Sequence, residues 1–356
     1  MSLNGDADAK EPETDVTPPK SRRPRWQFSG SLLVVVILVI ASAAVGSVVT
    51  WQLLRPAPAA PPGAVSVIDD AGRNVTVAST PHRIVALEPS VMDILFRLGL
   101  RSEVVGVDCG TPSAGGMGAD YTPGQIQNWS MAGLACITWL PTLDLQGIAA
   151  LHPNLVIAAT GIKVTDLDTL TQSYGIPTLY LNPSTLVGIS YDVTIVGELT
   201  RATGAAAHVD AQMAQALTQV ENLTSNATLV PSIPSILLTF YDDPQGYWTF
   251  GPGTFGSDLV TLAGATSISA NDTYANQGEI SGSYVLAANP AIIIVGTGFG
   301  LTVSDYSIGP DWANLTAVHT GHVYGINAAL ITEPDPSMVF GVLTLLEIIH
   351  PGLPTS

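Results

Sequence analysis

Short apolar segments typical of buried strands alternate with segments typical of helices, and this alternation occurs twice in the chain. In residues 64–186, RIVAL, NLVIAA and TLYL predict strands, and VMDILFRLGL and VTDLDTLTQSYG predict helices. In residues 230–356, SILLTF and AIIIVG predict strands, and SDLVTLAG and PSMVFGVLTLLEIIH predict helices. Strands that alternate with helices form parallel sheets that are covered on both faces. The sequence therefore predicts an α/β fold with two Rossmann-like lobes.

The stretch between these lobes, residues 187–229, predicts one long connecting helix. Its apolar residues are spaced by threes, fours and sevens, so they lie along one side of a helix. They are Ile195, Leu199, Ala206, Met213, Leu217 and Val220. At the start of the first lobe, VSVID and NVTVA flank the turn DAGR and predict a hairpin. Ser90 is the expected N-cap of the first helix.

A hydrophobic run near the N-terminus predicts a membrane anchor. Residues 31–54 carry no charge and are long enough to cross a bilayer core of about 30 Å. Basic residues precede the run, and positive charge stays on the cytoplasmic side. They are Arg22, Arg23 and Arg25. We expect a disordered cytoplasmic tail over 1–30, a single-pass helix, a Pro/Ala linker over 55–63 and an extracellular domain beyond it. The alternative is a cleaved signal peptide, because Ala41-Ser42-Ala43 resembles a cleavage site.

Composition narrows the classes of partner. Only 12% of the residues are charged, the net charge is −17, and no Lys or Arg follows Arg201. Because no basic stripe is available to meet phosphates, nucleic acid is excluded as a partner. Shedding fixed charge is also a way to tolerate low pH, which motivates the hypothesis of an acidic habitat.

Cysteines and sequons fit an exported chain. Cys109 and Cys136 flank one long loop, and they form either a disulfide or two buried free thiols. Six sequons predict a glycosylated surface protein, and glycosylation without a lipid anchor favours an archaeal cell surface. They lie at Asn74, Asn128, Asn222, Asn226, Asn271 and Asn314.

Motifs for catalysis, cofactors or metals are weak. GPGTFG at 251–256 fits G-x-G-x-x-G, but Pro252 removes one N–H and no acid closes a neighbouring strand at the right distance. We interpret it as a glycine turn that opens a helix. His319 and His322 are interpreted as part of a turn. Without G-x-S-x-G or HExxH, the sequence predicts neither an enzyme nor a bound cofactor or metal.

Several segments together resemble the substrate-binding proteins of ABC importers for iron-siderophores, haem and cobalamin. They include PHRIVALEPSVMDILFRLGLRSEVVGVD, LDLQGIAALHPNLVIA, YWTFGPGTFGSDLVTLAGA and WANLTAVHTGHVYGI, and they run through nearly the whole exported domain. The resemblance implies two lobes joined by one long helix, with the ligand in the cleft between them. It also implies delivery of a metal chelate or corrinoid to an ABC permease with its ATPase subunits. We expect the exported domain to be a monomer.

The chain departs from this family at positions that matter for docking and for ligand charge. The glutamates that relatives present to the permease fall on Gln146 and near Gly253. A C-terminal segment that carries an arginine in relatives reads EPDPSM, with Glu333 and Asp335. An acidic cleft repels anionic ligands, so we expect a neutral or cationic ligand. The missing glutamates leave open a permease-independent sensor or surface glycoprotein of the same fold.

The expected ligand contacts are mainly aromatic, because flat rings stack on a macrocycle or chelate. Trp139 falls near a position where cobalamin-binding relatives carry Trp. Tyr247 and Trp248 are expected on a loop of the second lobe beside the cleft. The full predicted set is Tyr121, Trp139, Tyr241, Tyr247, Trp248 and Glu333.

Overall fold

The computed structural model describes residues 63–108, 133–139, 141–226, 230, 232–243, 246–271, 277–298, 302–306 and 312–353. The predicted anchor at 31–54 lies outside these ranges, as do Cys109, Tyr121 and Asn128. Among the described helices, none combines the length and the apolar character that a bilayer crossing requires. The anchor therefore stays a prediction.

The first lobe is a five-stranded parallel sheet preceded by the predicted hairpin. The hairpin strands are β1 (Val65–Ile68) and β2 (Asn74–Val77). The sheet has the order β5-β4-β3-β6-β7, with β3 (Ile84–Leu87), β4 (Val104–Asp108), β5 (Ala135–Ile137), β6 (Leu155–Ala159) and β7 (Thr178–Leu181). The helices are α1 (Pro89–Arg97), α2 (Leu145–Ala150) and α3 (Val164–Tyr174). Every residue of β3 and β6 is buried, as expected for central strands covered on both faces.

The stretch predicted as one helix, residues 187–229, contains two helices, so the prediction that one helix spans it is wrong. The chain forms α4 (Leu186–Thr200) and α5 (Thr203–Thr224). Arg201 between them is left-handed, with φ 60°, and the N–H of Ala202 bonds back to the carbonyl of Gly197 at 2.8 Å. A Cβ on Gly197 would lie only 2.5 Å from the Cβ of Ala206, so the glycine lets α5 turn back closely against α4. This close approach explains the break.

The second lobe is a six-stranded mixed sheet of order β11-β9-β8-β12-β13, with β10 paired to β8. Its strands are β8 (Ser235–Asp243), β9 (Gly246–Phe250), β10 (Thr266–Ser267), β11 (Gln277–Ile280), β12 (Ile292–Thr297) and β13 (Val323–Asn327). Its helices are α6 (Phe255–Leu262), α7 (Gly282–Ala288), α8 (Val303–Tyr306), α9 (Thr316–His319), α10 (Ala329–Thr332) and α11 (Met338–Ile349). This architecture confirms the two-lobe α/β prediction.

Side-chain caps fix where several helices begin. Asp144, Thr185, Thr254 and Ser281 each accept a backbone N–H from the first turn of α2, α4, α6 and α7. Thr254 belongs to GPGTFG, which confirms that this motif is a turn that opens a helix. The prediction of Ser90 as a cap is wrong, because Ser90 is buried inside the first turn of α1 and Glu88 occupies the N-cap position.

Candidate functional site

The candidate site lies where the strands of the first lobe end. Strand β3 is flanked by β4 on one side and β6 on the other, and the chain leaves it in opposite directions. Ligands of open α/β sheets bind outside the carboxyl ends of the strands at such a switch point. Glu88 directly follows β3, Asp108 is the last residue of β4, and Gly161 follows β6.

Trp139 forms one wall of this site. Its Nε1 donates a hydrogen bond to Oδ2 of Asp108 at 2.9 Å, which fixes the orientation of the indole ring. A Cβ on Gly161 would lie 3.7 Å from the ring and 3.4 Å from Oε1 of Glu88, so the glycine packs between both side chains. A pocket of about 240 Å³ adjoins the ring and is lined in part by Ile162 and Lys163.

The second lobe contributes an acidic segment that follows α10. Glu333 keeps part of its surface exposed, and its carboxylate accepts a hydrogen bond from the backbone N–H of Ser90 at the start of α1. Asp335 is fully buried and lies near Asp93 of α1. Acidic residues of the two lobes therefore lie close together, Glu333 near Asp108 and Asp335 near Asp93.

These acids have raised pKa values because they are buried near one another. Burial raises the pKa of Glu88 to about 8, and the charges of Glu333 and Asp108 add to the effect. Burial and the charge of Asp108 raise the pKa of Glu333 to about 7. Burial, followed by the charge of Asp93, also raises the pKa of Asp335. At neutral pH the site thus holds protonated carboxyl groups.

Three arginines of the first lobe already have bonding partners. Arg73 pairs with Asp69 in the β1–β2 turn, and Arg97 pairs with Asp93. Arg83 lies at the amino end of β3, where its guanidinium donates to the carbonyl of Leu151 at 2.6 Å. Lys163 lies next to the pocket at Trp139.

The predicted aromatic residues of the second lobe have different environments. Tyr247 and Trp248 both lie in strand β9 and not on a loop, so that part of the prediction is wrong. The two side chains differ in burial. Tyr247 is buried in the core, where Nε1 of Trp312 donates to its hydroxyl and the two ring centroids lie 5.6 Å apart. Trp248 is half-buried on the other face of β9 and is paired in register with Tyr241, near the carboxyl end of β8. Trp248 therefore keeps exposed surface that a ligand can contact, whereas Tyr247 keeps almost none.

The remaining predicted residues are located as follows. Cys136 is disulfide-bonded, but Cys109 lies outside the described residues, so their pairing stays a prediction. The sequon asparagines within the described residues are all exposed: Asn74, Asn222, Asn226, Asn271 and Asn314. His319 and His322 border the predicted turn after α9. Within the described ranges, no group of three or more His, Cys, Asp or Glu residues is placed to hold a metal ion.

Sequence reasoning missed Glu88 and Asp108, the acids of the first lobe. Both lie at the carboxyl end of a buried parallel strand beside the switch point. An acidic residue that directly ends such a strand could have been predicted from the sequence as a site residue. Asp93 was also missed, because it lies within an apolar helix and its acidic neighbour Asp335 is far away in sequence.

A comparison with protein families decides the class. The family model described as "Periplasmic binding protein" matches residues 84–330, which is more than half of the chain. The chain belongs to the periplasmic binding protein family. It is a substrate-binding protein of the ABC-importer class that serves iron-siderophores, haem and cobalamin, and it is not an enzyme.

Individual relatives agree with this family. The cobalamin-binding protein of Halobacterium salinarum is 26% identical over 290 residues, which cover 79% of this chain and 73% of that protein. An uncharacterised ABC transporter substrate-binding lipoprotein of Bacillus subtilis, YvrC, is 24% identical over 81% of this chain and 86% of its own length. The vitamin B12-binding protein BtuF of Vibrio cholerae superposes with a TM-score of 0.61 at 20% identity, over 76% of this chain and 96% of that one.

Proposed function

We propose that this protein captures a neutral metal chelate outside the cell, with a corrinoid as the first candidate, and delivers it to an ABC permease. The observation that carries the proposal is the cleft at the switch point of the first lobe. There Trp139 is fixed by Asp108 beside a glycine-floored surface, and Glu333 of the second lobe faces it. An oriented indole offers a flat apolar face to a macrocycle at little entropic cost.

The charges around the cleft support the choice of a neutral ligand. A carboxylate-rich or catecholate ligand would enter a site that holds the charge of Asp108 and, at neutral pH, part of the charge of Glu333, while three arginines of the first lobe already have bonding partners. Bringing an anion next to other anions costs free energy unless it is protonated or paired. A corrinoid or a neutral hydroxamate chelate avoids that cost. The cobalamin-binding relative from Halobacterium salinarum points to the same ligand class.

The cellular location belongs to the same proposal. Residues 31–54 would hold the binding domain at the outer face of the membrane, and the exposed sequon asparagines would carry glycans at an archaeal cell surface. The domain would act as a monomer. The Cys109–Cys136 disulfide would restrain the loop that follows β4.

A second function, that of a sensor without a permease, is favoured by one observation. The positions at which relatives carry docking glutamates hold Gln146, which is exposed, and Gly253, which is also exposed. Neither offers a negative charge to a permease arginine. Uptake of labelled corrinoid by cells with and without this protein distinguishes the two functions, since a sensor would bind the ligand without supporting uptake.

Direct titration tests the binding proposal. The full chain should bind cyanocobalamin or a neutral ferric hydroxamate in calorimetry at pH 6, and native mass spectrometry of the isolated protein should detect a co-purified chelate. Failure of every neutral or cationic chelate to bind would overturn the proposal. The variant Glu347→Gln, which changes an exposed side chain of α11, should bind as the unchanged protein does.

A further inference from the structure

Glu88 is the most unusual side chain of the cleft. It is a non-glycine residue with φ 102°, a backbone conformation that is costly for residues with a Cβ. It occupies the N-cap position of α1, yet its side chain makes no capping hydrogen bond. Among the described residues, no hydrogen bond joins its carboxyl group to another side chain. The local fold therefore does not use this carboxyl group.

The carboxyl group of Glu88 points toward the ligand side of the sheet. Its Oε1 lies over Gly161, where a Cβ would come within 3.4 Å, and the Trp139 ring borders the same glycine. A larger residue than glycine would fill this space. Carboxyl group and indole thus form adjacent parts of one surface, which offers a polar group beside an apolar face.

The titratable groups around Glu88 come from both lobes. Asp108 at the end of β4 and Glu333 after α10 are acidic, and Tyr180 of β7 is also close enough to sense its charge. Lys163 lies beyond Trp139, at the pocket. Burial, then Glu333 and Asp108, raise the pKa of Glu88 to about 8, so the group is mostly protonated at neutral pH.

We propose that Glu88 is a specificity-determining residue, which offers a carboxylic O–H donor to the ligand from beside the Trp139 ring. This inference rests on the proposed function and deepens it. The matching ligand carries an uncharged acceptor, such as an amide carbonyl, next to a flat macrocycle or chelate. Loss of the proton converts the donor into an anion beside Asp108 and Glu333, so affinity falls as the pH rises.

The test compares ligand affinity across pH for the full chain and four variants, with cyanocobalamin as the probe. For the unchanged protein, the Kd should rise roughly tenfold from pH 6 to pH 9, because binding requires the proton of a group that ionises near pH 8. Glu88→Gln keeps an N–H donor but does not ionise, so its affinity should change little over this range. Glu88→Leu should bind weakly at every pH.

Glu333→Gln tests whether the pH at which affinity is lost depends on the pKa of Glu88. A purely structural role of Glu88 would leave that pH unchanged. Removing the neighbouring negative charge lowers the pKa of Glu88, so the loss of affinity should begin at a lower pH. The exposed control Glu347→Gln should reproduce the unchanged profile. An alkaline loss of affinity in Glu88→Gln that parallels the unchanged protein would overturn the inference while leaving corrinoid binding intact.

If no probe binds, that result counts against the proposed function. The inference about Glu88 can then still be tested by a measurement without ligand. The unfolding free energy of the unchanged protein should fall more steeply between pH 5 and 8 than that of Glu88→Gln. Parallel curves would show that Glu88 carries no retained proton in the folded protein and would overturn the inference by themselves.

Discussion

Asp69 and Glu88 are two acidic residues of the first lobe with opposite surroundings. Oδ2 of Asp69 accepts from Nη2 of Arg73 at 2.7 Å and from Nε at 2.9 Å. Oδ1 accepts from the backbone N–H groups of Ala71 and Arg73, and the N–H of Tyr180 donates to Oδ2. Glu88 has an acidic neighbour on each side of the cleft and no capping bond.

The difference shows how acidic side chains of one lobe can have a structural role in one place and none in another. The donors around Asp69 come from the hairpin turn and from β7, so this carboxylate ties the β1–β2 hairpin to the edge of the sheet. Glu88 ties no elements together, and its proton is held by burial and by neighbouring charge. The number of hydrogen-bond donors around a carboxyl group, and not its being acidic, decides its role.

The largest expected effect is on the Asp69 side of this comparison. Asp69→Asn should lower the unfolding free energy by about 3 kcal/mol, because a buried charge pair loses one partner and Arg73 is left half-buried. The matched control is Asp168→Asn, which removes the more exposed partner of the same arginine and should cost less than about 1 kcal/mol. Urea unfolding of both variants measures the contrast. Equal effects would show that Asp69 has no special structural role.

The next effect concerns pH. A carboxyl group whose pKa is higher in the folded protein than in the unfolded chain retains a proton that the unfolded chain has lost, so raising the pH favours unfolding. For Glu88 and Glu333 the stability should decline from about pH 4.5, the ordinary pKa, up to the folded values of about 8 and about 7. We expect a loss on the order of 2 kcal/mol across this window, after discounting for partial exposure.

Asp192 extends this decline to higher pH. It is fully buried in α4, and its carboxyl group lies beside that of Asp70. Burial, together with the nearby Asp70, raises its pKa to about 9. Asp192→Asn should therefore flatten the decline above pH 7 in chemical unfolding followed at several pH values. A stability maximum at alkaline pH in the unchanged protein would contradict this interpretation.

The last two effects, on binding and on stability, distinguish the two neighbouring aromatic residues of β9. Trp248→Ala should weaken corrinoid binding by about 1–3 kcal/mol, as expected for an aromatic contact near the centre of a site. Tyr247→Phe is its matched control, because it removes only the hydroxyl that accepts from Trp312. That variant should lose about 1 kcal/mol of stability and leave binding unchanged. The reverse outcome, a binding defect in Tyr247→Phe alone, would exchange the roles of the two residues.

The periodicity of the sequence was sufficient to predict the two lobes, because buried parallel strands are continuous apolar runs and their helices have a different period. The break at Arg201 was not predictable in the same way, since the apolar positions of α4 and α5 keep a helical spacing across it. It depends on the close approach of Gly197 to Ala206, which is a tertiary contact. Ser90 failed as a cap because Glu88 and Pro89 start the helix earlier.

The candidate site was predicted in part. Trp139 and Glu333 were expected from the resemblance, and the structure brings both to the cleft side of the first lobe's sheet, near Glu88 and Asp108. Tyr247 was expected beside the cleft, but alternation along β9 turns it into the core. The proton held by Glu88 was beyond sequence reasoning, because it depends on charges that come together from β4 and from the second lobe.

Competition between ligands of different charge is the sharpest test of the proposal that acidic groups in the cleft select a neutral ligand. Calorimetry of the full chain at pH 6 and pH 7 should compare cyanocobalamin, a neutral ferric hydroxamate and a tri-anionic ferric catecholate. A cleft of protonated and ionised carboxyl groups predicts that a neutral ligand binds tightest and that the catecholate binds weakest. Tightest binding of the catecholate at pH 7 would contradict the account, because it would require cationic side chains in the cleft in place of the acids described for Glu88, Asp108 and Glu333.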